Sequence, residues 1–245
     1  MNLEKEFRNY GVNHLGINGT TIDSVVASQI KASMTPYILE ERQMNVTQMD
    51  VFSRLMKDRI IFINGGVDDR MSSIVTAQLL FLSTTDKSDI TLYVDTPGGG
   101  VKSGLTIYDV MNYIPCDTST VNTGMAASMG SVLLSSGTKG KRASLIHAKV
   151  MTHQVSHGTN GNIQDTRINQ MEAEKYNYIL FKIIAENCGK TFDEVLEFSR
   201  RDRWYNSDEA LNFGLVDEII GAEKRSISNS LEGFEEYYTK EVLKK

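Results

Sequence analysis

Short, nearly continuous apolar runs alternate along the chain with longer stretches where apolar residues recur every three or four positions. Ile60-Ile61-Phe62-Ile63-Asn64 predicts a buried strand closed by Gly65-Gly66. Ser72 to Leu82 has helical spacing, with Ile74, Ala77, Leu80 and Phe81 able to share a face. Ile90-Thr91-Leu92-Tyr93-Val94 predicts the next strand, which ends at Thr96-Pro97-Gly98-Gly99-Gly100. A helix from Lys102 to Tyr113 follows. Thr118-Ser119-Thr120-Val121-Asn122-Thr123 is β-branched at four of six positions and reads as a strand. Gly124 is expected to break it, and Met129 to Leu134 to form a helix.

The second half continues the alternation. Ser144 to Gln154 is strand-like, and Asn162 to Asn187 reads as one long helix ended by Cys188-Gly189, with glycine as C-cap. Two shorter helices are expected at Phe192 to Arg200 and Ser207 to Phe213, the second with Ser207 as N-cap and Gly214 as stop. Leu215 to Ile220 is the last predicted strand. Repeated strand–helix units imply an α/β fold with parallel strands and helices packed on them. Residues 1–33 are polar and weakly periodic, and 221–245 form a charge-rich tail, so the folded domain is expected over 34–220.

Composition narrows the function classes. A chain of 245 residues with 40% hydrophobic content can bury one full core. Its net charge of −5 argues against nucleic acid as a partner. The two cysteines, Cys116 and Cys188, form no metal-ligand spacing and no disulfide framework. No apolar run approaches the ~18 residues that would span a bilayer. Met1-Asn2-Leu3-Glu4-Lys5-Glu6 lacks the basic and apolar regions of a signal peptide. A cytoplasmic chain with no metal and no cofactor of its own is the expectation.

The candidate chemistry centres on Ser128. It sits among small residues in Gly124-Met125-Ala126-Ala127-Ser128-Met129-Gly130, between a predicted strand and a predicted helix. Ala126-Ala127-Ser128-Met129-Gly130 differs from the G-x-S-x-G elbow in having Ala for the first Gly. Such a turn exposes the hydroxyl beside a helix N-terminus, whose free N–H groups favour a developing oxyanion. A serine capping a buried helix would look the same.

A serine nucleophile needs a base within hydrogen-bond reach. His14, His147, His153 and His157 are the four histidines. His147 and His153 are six apart, so on one regular strand both would face the same way, and periodicity does not choose between them. The base in turn needs a carboxylate, and spacing alone does not select one among the acids present. In Arg200-Arg201-Asp202-Arg203 the arginines would keep Asp202 ionised, though an arginine-flanked aspartate is also the pattern of a surface ion-pair cluster. The loop Thr96-Pro97-Gly98-Gly99-Gly100 could aim backbone N–H groups at an oxyanion or simply turn the chain.

Together these blocks resemble the Clp protease proteolytic subunit (ClpP) family over about residues 34–220. The resemblance runs through Pro36-Tyr37-Ile38-Leu39-Glu40-Glu41, Asp50-Val51-Phe52-Ser53-Arg54-Leu55, Pro97-Gly98-Gly99 and Ile107-Tyr108-Asp109. It continues through the Ser128 block, Lys139-Gly140-Lys141-Arg142, Val150-Met151-Thr152-His153-Gln154 and Gly214-Leu215-Val216-Asp217. It implies a ClpP/crotonase-type spiral of β-β-α units with a protruding handle helix, here Asn162 to Asn187. Ser128 would be the nucleophile, His153 the general base and Asp202 its orienting acid. The oxyanion hole would use the N–H groups of Gly99 and Met129. The resemblance further implies a homo-oligomer of two stacked seven-membered rings that receives unfolded chains from an AAA+ Clp ATPase. ATP would belong to that partner, because this chain has no phosphate-binding loop.

Arg201 would pair across the rings with Asp165, and Tyr93 and Tyr113 would help dock the ATPase. Departures from the family pattern fall at Thr91, Thr96, Gly100, Val155 (where proline is usual), Ser156-His157-Gly158 and Arg200. They leave open a ring subunit with little catalysis of its own. A crotonase-type acyl-CoA enzyme shares the fold, but the Ser–His–Asp set speaks against it. Residues 1–33 could be a self-removed leader or a disordered arm.

Overall fold

Residues 37–42, 45–221, 234 and 238 are described by the structure, a computed structural model. The expected leader or arm over 1–33 lies outside them, as does nearly all of the expected tail over 221–245. The chain divides into two compact units, Met1–Asp58 and Arg59–Lys245. In the first, strands β1 (Tyr37–Arg42) and β2 (Asn45–Asp50) form an antiparallel hairpin that pairs Tyr37 with Asp50. Helix α1 (Val51–Lys57) follows at once, because the Asp50 carboxylate caps it by accepting the Ser53 N–H at 3.1 Å.

The second unit is the predicted α/β alternation. β3 (Ile60–Asn64), α2 (Asp69–Thr85), β4 (Ile90–Thr96), α3 (Val101–Tyr113), β5 (Thr118–Ala127) and α4 (Met129–Ser135) come first. Then come β6 (Arg142–Leu145), β7 (Lys149–Thr152), α5 (Ile163–Cys188), α6 (Phe192–Phe198), β8 (Arg203–Tyr205), α7 (Ser207–Phe213) and β9 (Glu218–Ile220). Strands β3-β4-β5-β6-β9 pair in that order and all in parallel; β7 also pairs in parallel with β5, and β8 runs antiparallel to β7. Ile90, Leu92 and Val94 on β4 are fully buried, and so are Leu79, Ile107, Leu133 and Leu134 on the helices. All seven residues of α4 are buried, so the helix after Ser128 is a core element.

The face of α2 that packs inward carries Ser72, Val75, Leu79 and Leu82, while Ile74, Ala77, Leu80 and Phe81 share a face as expected and it is the outer one. Two apolar stripes interleave on this helix, and the crossover between β3 and β4 selects the first. Gly124 does not end β5, which continues to Ala127. There the Asp95 carboxylate accepts the Met125 N–H at 3.0 Å, and a Cβ on Gly124 would lie 2.6 Å from Asp95 Oδ1. The glycine gives room for that carboxylate. The Ser144 to Gln154 stretch is two strands separated by a turn, and the last predicted strand shortens to Glu218–Ile220. Asn206, not Ser207, caps α7 in a capping box with Glu209, and α6 stops at Phe198.

Helix α5 ends at the expected glycine cap, Gly189, at φ 66°, while Asn162, expected as its first residue, is its N-cap and accepts the Asp165 N–H at 2.9 Å. Its buried residues begin only at Leu180, and Ile163, Ile168, Met171 and Tyr178 before that point are exposed.

One ion pair ties the end of the sheet to the helices. Arg142 is 1% exposed and grips Asp217 through Nε at 2.8 Å and Nη2 at 2.6 Å. Its Nη1 donates to the carbonyls of Ser135 at 3.0 Å and Asn187 at 2.9 Å, the C-terminal ends of α4 and α5. Burial would raise the Asp217 carboxyl, but the Arg142 hydrogen bonds and charge outweigh it and hold the group well below the usual carboxylate range. A folded value below the unfolded one means stabilisation that is complete above the unfolded value and lost as pH falls toward the folded one. Asp217→Asn should lower unfolding stability at neutral pH by about 3 kcal/mol, because it leaves a buried guanidinium without its counter-charge. In denaturant titrations the gap between variant and parent should begin to close as pH drops through 3.8, the carboxyl's unperturbed value.

Candidate active site

Strand register brings the predicted residues together. β5 and β7 pair Met125 with Lys149, Ala126 with Val150 and Ala127 with Met151. The Ser128 N–H donates to the Met151 carbonyl at 2.9 Å and carries that ladder one residue past β5. β7 and β8 pair Thr152 with Arg203, so His153 follows one strand while Asp202 precedes its antiparallel neighbour. His153 Nε2 lies 2.8 Å from Ser128 Oγ, and His153 Nδ1 lies 3.5 Å from Asp202 Oδ1. The first is a hydrogen bond, whereas the second is an ion-pair distance. The side chains of His153 and Asp202 are 22% and 68% exposed, so the base is shielded and the acid open to solvent.

Ser128 adopts φ 55° and ψ −121°, a conformation L-residues avoid, at the one-residue junction between β5 and α4. That sharp turn lets a buried strand run directly into a buried helix while the hydroxyl still reaches His153. The glycine loop fits against it. Gly98 has φ 90°, and a Cβ there would lie 2.6 Å from both Ser128 Cβ and the Ala127 carbonyl oxygen. Thr96 Oγ1 accepts the Gly98 N–H at 3.0 Å and donates to the Gly65 carbonyl at 2.5 Å, so threonine supplies the hydroxyl a serine would. Val67 bridges the loop by donating to the Gly98 carbonyl at 2.9 Å and accepting from Gly100 N–H at 2.7 Å. Among the described residues, neither the Gly99 N–H nor the Met129 N–H is taken by a backbone acceptor.

Gly99, Ser128, Met129 and His153 line a cavity of about 160 Å³ whose far wall is apolar: Val132, Leu180, Phe181 and Ile184. A nucleophile hydrogen-bonded to a base, beside free N–H donors and an apolar cavity, is equipped for acyl transfer. Among the described residues no cluster of His, Cys, Asp and Glu could hold a metal ion, and no helix is long and apolar enough to cross a membrane.

The other predicted positions lie apart. His147 sits exposed in the turn between β6 and β7, and His157 is exposed in the loop before α5; His14 lies outside the described residues. Asp165 lies in the first turn of α5 and is held by the Asn162 side chain at 2.6 Å. Arg201 is exposed between α6 and β8, and among the described residues the two form no ion pair with each other. Its neighbours turn elsewhere: Arg200 pairs with Glu197 at 3.1 Å, and Arg203 stacks 4.4 Å from the centre of the Phe198 ring. Tyr93 stacks on Phe62 with ring centres 5.5 Å apart, and Tyr113 is 79% exposed. The sequence reading did not single out Asp95, Asn122 or the Met151 carbonyl, which act through cross-strand contacts that no local spacing reveals.

Known proteins are similar to this chain over most of its length. A model of the Clp protease family matches residues 41–223. An "ATP-dependent Clp protease proteolytic subunit" of Bacteroides fragilis is 48% identical over 216 residues, which is 88% of this chain and 98% of that protein. A protein of the same name from Porphyromonas gingivalis is 46% identical, over 88% of this chain and 97% of its own. An "ATP-dependent Clp protease proteolytic subunit 2" of Corynebacterium efficiens is 45% identical, over 74% of this chain and 91% of its own.

The tightest constraint on the serine turn is Gly98. Gly98→Ala should push the loop and Ser128 apart, and labelling of Ser128 by a fluorophosphonate should slow by at least about 100-fold while far-ultraviolet circular dichroism stays unchanged. Labelling at the parent rate would show that the two turns are not coupled.

Proposed function

The chain belongs to the Clp protease family, and we propose that within it Ser128, His153 and Asp202 hydrolyse peptide bonds as nucleophile, general base and orienting acid. The observation that carries this reading is the 2.8 Å hydrogen bond between Ser128 Oγ and His153 Nε2. Ser128 Oγ attacks the scissile carbonyl carbon while its proton passes to His153. The carbonyl oxygen, now negative, is received by the N–H groups of Gly99 and Met129. As the tetrahedral intermediate collapses, the C–N bond breaks, His153 protonates the leaving amine, and an acyl-serine remains. Water then attacks that ester with His153 again as base, which releases the acid and restores Ser128. The apolar cavity beside Ser128 suits an apolar side chain on the acyl side of the cut bond.

The relatives are named as ATP-dependent proteolytic subunits. We extend that to this chain as a cytoplasmic homo-oligomer of two stacked seven-membered rings, fed unfolded chains by an AAA+ Clp ATPase. Tyr93, stacked on Phe62, and exposed Tyr113 are the docking candidates for that ATPase. Arg201 and Asp165 are the candidates for contact between rings. A second reading, a ring subunit with little catalysis of its own, draws on the 3.5 Å distance and 68% exposure of Asp202.

Two experiments test these assignments. Ser128→Ala should lower peptide cleavage by several powers of ten and leave the oligomer intact, measured by peptidase assay beside light scattering. Cleavage near the parent rate would remove Ser128 from the mechanism. Arg201→Ala should weaken the double ring and the peptidase rate together, because Arg201 shares its backbone with Asp202 and small displacements of catalytic groups are costly. Single rings that keep full activity would sink that coupling.

A further inference from the structure

We propose that Asn177 is a positioning residue: it holds the Val155 wall of the cavity beside Ser128 and so sets which substrate side chain is accepted there. The proposal rests on the peptidase reading above. Helix α5 lines the cavity through Leu180, Phe181 and Ile184, and a second wall is Gln154-Val155-Ser156, directly after His153. That second wall has no secondary structure of its own. Its attachment is the Val155 N–H, which donates to Asn177 Oδ1 at 2.9 Å. Among the described residues this is the sole hydrogen bond from 153–161 to α5.

Asn177, Leu180, Phe181 and Ile184 stand at i, i+3, i+4 and i+7, so they share one helix face. The stripe that packs the cavity thus ends, one turn earlier, in a hydrogen-bond acceptor. Both Val155 and Asn177 are half-buried, so the bond is partly screened from competing water. Without it, the wall between His153 and α5 is free to drift. Dispersion contact with a seated side chain falls steeply with even a small gap, so drift costs a large apolar side chain more than a methyl group. Asn177 therefore acts on selectivity through Val155 without touching the reacting atoms.

The test compares two peptides that differ only in Leu or Ala on the acyl side of the cleaved bond. Asn177→Leu, which keeps the size and removes the acceptor, should lower the Leu-over-Ala ratio of kcat/KM about fivefold, mainly through a higher KM for the Leu peptide. Asn177→Asp retains an acceptor oxygen and should keep the parent ratio. Val155→Pro, which removes the donor, should lower the ratio as Asn177→Leu does, and combining the two should lower it no further. Because both peptides are assayed on one preparation, the fraction of folded or assembled enzyme cancels from the ratio. An unchanged ratio in Asn177→Leu, an Asp variant as impaired as the Leu variant, or losses that add in the double variant would each overturn the proposal. The two readings fail separately. Cleavage that survives Ser128→Ala defeats the peptidase reading, while cleavage lost in Ser128→Ala with an unshifted ratio in Asn177→Leu defeats only the role of Asn177.

Discussion

The register of β5 against β7, and of β7 against β8, is the constraint from which the site follows. A strand slipped by one residue turns every side chain to the opposite face, so Ser128, His153 and Asp202 converge only if both pairings hold. The parallel ladder is pinned at its far end by the Ser128 N–H on the Met151 carbonyl. At its near end, where β6 leaves β5 and β7 takes its place, Asn122 Nδ2 donates to the Lys149 carbonyl at 3.0 Å. The buried asparagine bridges the handover that backbone pairing cannot cover.

Strain at Ser128 is sustained by what surrounds it. β5 ends in Ala126 and Ala127, both buried, and α4 beyond the serine is buried throughout. Neither flank can relax without opening the core, so the unfavourable backbone angles of one residue are over-determined by the packing of its buried neighbours. Arg142 fastens the C-terminal end of α4, together with the end of α5 and Asp217 before β9. The Lys139–Arg142 and Gly214–Asp217 blocks, far apart in sequence, thus meet in one buried pair. Removing Asp217 would strand the buried Arg142 guanidinium, so the pair costs more to break than it contributes as a whole.

Helix α5 serves two environments. Its last third is core, and Leu180, Phe181 and Ile184 form the apolar wall beside Ser128. Its earlier turns carry the large apolar side chains Ile163, Ile168, Met171 and Tyr178 in the open. Asp202 also stands open to solvent at 3.5 Å from His153.

What the sequence determined by itself is local. The strand–helix alternation, the cap at Gly189, the Pro97-Gly98-Gly99 turn and the small residues around Ser128 all follow from short-range rules of spacing and backbone freedom, and each has its counterpart in the structure. The resemblance to a family implied Ser128, His153 and Asp202 as a triad, but periodicity left His147 and His153 equivalent. Only the turn that splits Ser144 to Gln154 into β6 and β7 separates them, and only the β7–β8 pairing brings Asp202 beside His153. The inward face of α2 is not legible from spacing, because two apolar stripes interleave there and helical spacing cannot say which one meets the sheet. Register, helix rotation and cross-strand hydrogen bonds depend on partners tens of residues away, so they are properties of the folded chain and not of any window along it.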